Sequence, residues 1–199
     1  MKYIKLFENI HSITQEQLFV LAAIRGNSKQ IKDMLKNGIG VNVRRRTTQG
    51  STALMEACLH KFLLIEITLL EAGADPNIQD EYGRTALMMA STPKMIDKLL
   101  EYGADVNLQN NEGDTALMVY LEYGLSAEQT ILNIEKFRKH KLNLDLKNRD
   151  GWNFYEKLKY LGDKSNMLRY DEIQNYMDSE FPEYKEEWEF QDDVKKYNL

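Results

Sequence analysis

The chain has 199 residues, 43% of them hydrophobic and 29% charged, with a formal net charge of −5. That composition fits an ordinary folded chain of one or two domains and excludes a disordered one. A single cysteine, Cys58, excludes an internal disulfide and an all-cysteine metal site, and no stretch approaches the 18 or so continuous apolar residues of a membrane helix.

Residues 1–14 are expected to form a leading segment, a helix whose apolar side is Ile4, Leu6, Phe7 and Ile10. The opening MKYIKLFENIHSITQEQ has neither the long apolar run nor the small-residue cleavage site of a secretory signal. Together with the lone cysteine this makes a reducing, cytoplasmic location the expectation. The charge is uneven: residues 1–60 carry nine Lys and Arg against four Asp and Glu, and the remainder 17 against 27. A basic end and an acidic end follow, which bears on partners and not on fold.

From residue 15 onward the chain repeats itself. LFVLAAIRGN (18–27) reads as a first helix, and MLKNGIGVN (34–42) ends a second. The words STALMEA (51–57), RTALMMA (84–90) and DTALMVY (114–120) then recur, each after a glycine: Gly50, Gly83 and Gly113. The words LLEAGADPN (69–77) and LLEYGADVN (99–107) recur between them, and FRKHKLNLD (137–145) is a degenerate copy. Successive TALM words are 33 and then 30 residues apart. In KMIDKLLEYGADVN, Ile96, Leu99 and Leu100 lie on one helix face, and Gly103 supplies the left-handed residue that ends the helix. Thr85 stands where a helix start needs an oxygen-bearing side chain. Ala57 and Ala90 are small, as close helix approach requires, and the TALM methionines suit gaps between helices.

Two words recurring in order at this period resemble the ankyrin repeat, whose pattern has a period near 33 and a T-P-L-H-x-A word. Thr52, Thr85 and Thr115 match the threonine; alanine replaces the proline and methionine the histidine. The resemblance implies an all-α ankyrin-repeat solenoid of stacked helix-turn-helix units with short β-hairpin fingers. Five repeats are expected, over about 15–46, 47–79, 80–109, 110–147 and 148–178. Three irregularities stand out. The third repeat is short by three residues, with Pro93 in its inter-helix turn. The fourth carries about five extra residues in YGLSAEQT and has Lys141 where others have glycine. The fifth keeps Gly151 and little else. Residues 179–199 are an acidic, aromatic cap or tail, with Phe181, Tyr184, Trp188 and Phe190 as its anchors. The opening MKYIKLFENI also resembles openings common among proteins of large tailed bacteriophages, which implies a phage or bacterial source.

No catalytic constellation emerges. His11, His60 and His140 lie in different repeats without metal-ligand spacing. Cys58 occupies a slot for a small core residue and has no base beside it. The glycines are spread one per turn and form no phosphate-cradling loop, and the finger carboxylates, Asp114 among them, read as solvated surface. No catalytic residue, metal or cofactor is therefore expected, and too little chain lies outside the repeats for a separate catalytic domain.

Stacked repeats leave an extended concave face lined by finger tips and first-helix surfaces. The resemblance implies that this face binds another protein. In the first two fingers the candidate contacts are Arg44, Arg45, Arg46, Gln79, Glu81, Tyr82 and Arg84, with His60 at the end of a first helix. In the later fingers they are Asn111, Glu112, Asp114, Arg149 and Trp152. Tyr82 and Trp152 are nominated as hot spots, since Tyr, Trp and Arg dominate interface energetics. An inhibitor, immunity protein or host-directed modulator, acting as a monomer, is the expected role. Nucleic acid is the alternative ligand, through Arg44–Arg46. Three arginines give a salt slope of only about −2.7, and the acidic fingers that follow repel a long duplex. An enzyme built on His60 and Cys58 is the third reading.

Overall fold

A computed structural model describes residues 13–45, 49–123, 126–165, 168–182 and 184. The leading segment expected at 1–14 lies almost wholly outside the described residues, as do His11, Arg46, Trp188 and Phe190. The chain divides into two compact units between Asp105 and Val106.

The first unit carries α1 (Gln15–Ile24), α2 (Ser28–Lys36), β1 (Arg44–Arg45), β2 (Ser51–Thr52), α3 (Ala53–Leu59), α4 (Leu63–Glu71), α5 (Ala86–Met89) and α6 (Pro93–Glu101). The first helices α1, α3 and α5 pack on one another, and the second helices α2, α4 and α6 form a parallel series behind them. Each first helix starts on a threonine. Thr14, Thr52 and Thr85 accept hydrogen bonds from Gln17, Met55 and Met88 backbone N–H at 3.2, 3.3 and 3.4 Å, satisfying one otherwise orphaned donor each. The core is the apolar face anticipated from spacing: Leu54, Leu69, Leu87, Ile96 and Leu99 are all buried, and so are Ala57 and Ala90.

The shortened third repeat loses its residues from the first helix rather than from the turn. α5 is a single turn of four residues, against seven in α3. Ala90 leaves the helix in an extended conformation, Thr92 caps the next one, and Pro93 is its first residue, where no backbone N–H is needed.

The second unit carries α7 (Ala116–Glu122), α8 (Ala127–Arg138), α9 (Phe154–Ser165) and α10 (Leu168–Glu180). α7 packs on α9 and α8 on α10. Four of the eight residues expected to lie between the helices, 127–130, are helical instead. Ser126 caps α8 through Gln129 N–H at 3.2 Å, and α8 runs for 12 residues, against nine in α4 and α6. Lys141 adopts the left-handed conformation of the glycines it replaces, with φ +59° against +82° to +85° at Gly38, Gly73 and Gly103. A non-glycine residue holds that conformation at a cost of about 1–2 kcal/mol.

A recurring asparagine stitches consecutive repeats together. Within the first unit, Asn42 Oδ1 accepts from Asp75 N–H at 2.9 Å and Asn77 Oδ1 from Asp105 N–H at 2.7 Å. Within the second, Asn107 Oδ1 accepts from Asn143 N–H at 2.8 Å. Asn77 and Asn107 also donate through Nδ2 to the carbonyls of Gly103 and Lys141, each at 2.9 Å. The carbonyl of Lys141 is thus held as the glycine carbonyl is, which fixes its strained backbone.

Candidate partner-binding surface

In the first unit the first finger is a short antiparallel pair, Arg44 opposite Thr52 and Arg45 opposite Ser51. Arg44 is exposed and Arg45 half-buried, while Arg46 falls outside the described residues. His60 ends α3, its Nε2 3.6 Å from Glu56 Oε2 and its ring stacked on Phe62 at 6.0 Å.

The second finger is built on Asp80. Its carboxylate is fully buried and does two jobs. Oδ1 accepts the backbone N–H of Tyr82 and Arg84 at 2.9 and 2.8 Å, closing the turn. Oδ2 accepts Arg84 Nε at 2.8 Å and lies 2.7 Å from its Nη2. This two-pronged pairing orients the guanidinium plane, which lies over the Tyr82 ring with Cζ 4.9 Å from the centroid. Tyr82 is 51% exposed, so a large aromatic surface stands in solvent on a fixed support. Gln79 Nε2 donates to the Gly83 carbonyl at 2.6 Å, which leaves Gln79 bracing the finger. Glu81 is exposed, and its N–H donates to the Gln49 carbonyl at 2.8 Å, joining the two fingers.

In the second unit Asn110 and Asn148 repeat the role of Asp80. Each Oδ1 accepts two backbone N–H groups: Glu112 and Asp114 at 2.9 Å, and Asp150 and Trp152 at 3.0 Å. Asn111, Glu112 and Arg149 are exposed. The Arg149 N–H donates to the Glu112 carbonyl at 2.8 Å, and their charged ends are 3.9 Å apart.

Asp114 is a correction to the sequence reading. It is only 6% exposed. Its carboxylate accepts from Asn148 Nδ2 at 3.0 Å and from Lys157 Nζ at 2.7 Å. Lys157 is itself buried and also reaches Glu122 at 2.8 Å. A buried charge is tolerated when it is paired and hydrogen-bonded, and Asp114 is a structural anchor rather than an exposed finger charge. Trp152 is half-buried, its ring 4.1 Å from that of Tyr160. A cleft of about 400 Å³ opens here, walled by this aromatic pair and bordered by Glu112, Glu122 and Asp150.

Asp80, Asn110, Lys157 and Tyr160 were absent from the candidate residues. The first two had a signal, an Asp or Asn three residues before Gly83, Gly113 and Gly151. Lys157 had none.

Cys58 is fully buried, and burial, helped by Glu66, pushes its thiol well above its ordinary value. The neutral thiol is a poor nucleophile. Among the described residues no His, Cys, Asp or Glu cluster is placed to hold a metal, and no helix is long and apolar enough to cross a membrane.

Residues 18–110 match the family model described as ankyrin repeats in three copies. Over those residues the chain carries ankyrin repeats. No curated relative matches it. Ankyrin repeats are generally protein–protein interaction modules and typically lack enzymatic activity.

Proposed function

We propose that this chain is a non-enzymatic binding module that engages a partner protein through its finger tips and first-helix ends, and so inhibits or modulates that partner. In the first unit the proposed contacts are Tyr82, Arg44, Glu81 and His60. The observation that carries the reading is the Tyr82 ring. It is more than half exposed, yet backed by a guanidinium that Asp80 clamps. A rigid, amphipathic ring loses little conformational entropy on burial and makes a strong anchor. Arg84 serves the interface from beneath, through Tyr82, since its guanidinium is held by Asp80. The lone reduced cysteine is in keeping with a cytoplasmic monomer.

The nucleic-acid reading gains no support from the first finger, where Arg44 is exposed but Arg45 is partly covered. Three arginines give a salt slope of only about −2.7, and the exposed Glu81 of the neighbouring finger repels a duplex.

The test is capture of a partner from the native host, followed by affinity measurement on the purified pair. Tyr82→Ala is expected to weaken binding by about 2 kcal/mol, roughly thirtyfold. Tyr102→Ala, another exposed tyrosine but at the end of α6, should leave it unchanged. Failure to recover any protein, or equal losses from both variants, would refute the proposal.

A further inference from the structure

The cleft beside Trp152 has a composition that selects its occupant. Four of its lining groups are carboxylates, Glu112, Asp114, Glu122 and Asp150, against the single ammonium of Lys157. That ammonium is 2.7 Å from Asp114 and 2.8 Å from Glu122, so its charge is spent within the floor. Asp114 and Glu122 share that one ammonium, and Glu112, Glu122 and Asp150 stand at the exposed border. Among the described residues the ion pair of Glu112 is the long, exposed approach of Arg149 at 3.9 Å, which contributes little in water. The formal excess of three negative charges therefore faces the opening.

The wall is aromatic and fixed. Trp152 packs on Tyr160 at 4.1 Å, and its backbone N–H is held by Asn148 Oδ1 at 3.0 Å. An indole face beside carboxylates attracts a cation from two directions, through the ring quadrupole and through charge. The volume of about 400 Å³ corresponds to roughly a dozen water molecules at about 30 Å³ each. A long side chain enters by displacing part of that water.

We infer that this cleft receives an arginine side chain of the partner protein, its guanidinium against the Trp152–Tyr160 wall and its N–H groups toward the border carboxylates. Arginine fits better than lysine because its plane stacks on an aromatic face and its fork pairs with carboxylates, while ammonium is a compact, strongly hydrated charge. The inference deepens the partner-protein reading and supplies a chemistry for one contact.

The test needs no partner. Nα-acetyl-arginine amide is titrated into the Trp188→Phe variant of the full chain while the Trp152 indole N–H resonance is followed by NMR. A saturable shift is expected, weaker with Nα-acetyl-lysine amide and absent with the neutral isostere Nα-acetyl-citrulline amide. Glu112→Gln with Asp150→Asn, both at exposed positions, should weaken it at least about fivefold. A non-saturating response, an equal response to citrulline amide, or no effect of the double variant overturns the inference. A saturable arginine shift without any captured partner would instead sink the partner-protein reading and leave this site standing.

Discussion

Glu66 gives the protein a pH dependence that can be worked out from one side chain. It lies in α4, fully buried, and neither carboxylate oxygen has a hydrogen-bond partner among the described residues. Burial pushes its pKa from 4.5 up to about 8, against a weaker downward pull from Lys98. Lys98 lies 2.6 Å from Glu101, so it gives Glu66 little relief. The folded chain therefore keeps a proton that the unfolded chain releases near 4.5. The associated stability is complete below that value and is lost as pH rises toward 8. With these two values, folding free energy falls by about 3 kcal/mol between pH 5 and 7.5. That is a large share of the roughly 5–15 kcal/mol that holds a typical domain folded. Urea unfolding followed by circular dichroism at several pH values measures it. Glu66→Gln should flatten the decline over this window and be the more stable of the two at pH 8.5. Profiles that fall in parallel for wild type and variant would refute the reasoning, since the pH dependence would then reside elsewhere.

Three further perturbations separate backbone, ionic and ladder contributions. Gly103 and Gly113 share a left-handed φ, +82° and +79°, but an added Cβ meets nothing within 4 Å at Gly103 and comes within 2.7 Å of the Asn148 backbone at Gly113. Gly103→Ala should cost about 1–2 kcal/mol and Gly113→Ala clearly more by thermal unfolding; equal costs would contradict the close approach. Lys157→Ala, which leaves Asp114 buried without its cation, should cost about 3–5 kcal/mol, and Lys157→Met with Asp114→Asn should recover most of that loss. Asn77→Ala removes the acceptor of Asp105 N–H and the donor to Gly103, and a cost of about 1–3 kcal/mol is expected by chemical denaturation.

The part of the fold that was legible is the part that repeats. Thr52 and Thr85 recur at the same place in a word, and their capping role could be assigned from position because each repeat meets the same local requirement. The glycines were legible for the same reason. At Lys141, which stands where the other words have glycine, a different or strained turn was the expectation, and the chain keeps the left-handed conformation under strain. The irregular lengths were less legible. A deletion in a repeat can be absorbed by a turn or by a helix, and the loss fell on α5 because Thr92 and Pro93 start the next helix so firmly that the first had to end early.

The surface was harder still, because exposure of a finger residue depends on which side chain the next repeat brings against it. Asp114 and Arg84 both follow a finger glycine, in the same register and with similar prospects from sequence. Asp114 meets Lys157 from α9 and Asn148 from the next finger, and so disappears into the structure. Arg84 meets Asp80 four residues earlier in its own finger, and so remains half-exposed beneath Tyr82. Lys157 carries no mark in the sequence that separates it from the solvated lysines around it. Once Asp114 is known to be buried, the pairing rule calls for a cation from the repeat that covers it, and α9 supplies Lys157. The same rule explains why the border of the Trp152 cleft stays acidic. Lys157, sent in from the covering helix, is held between Asp114 and Glu122, while Glu112 and Asp150 stand exposed.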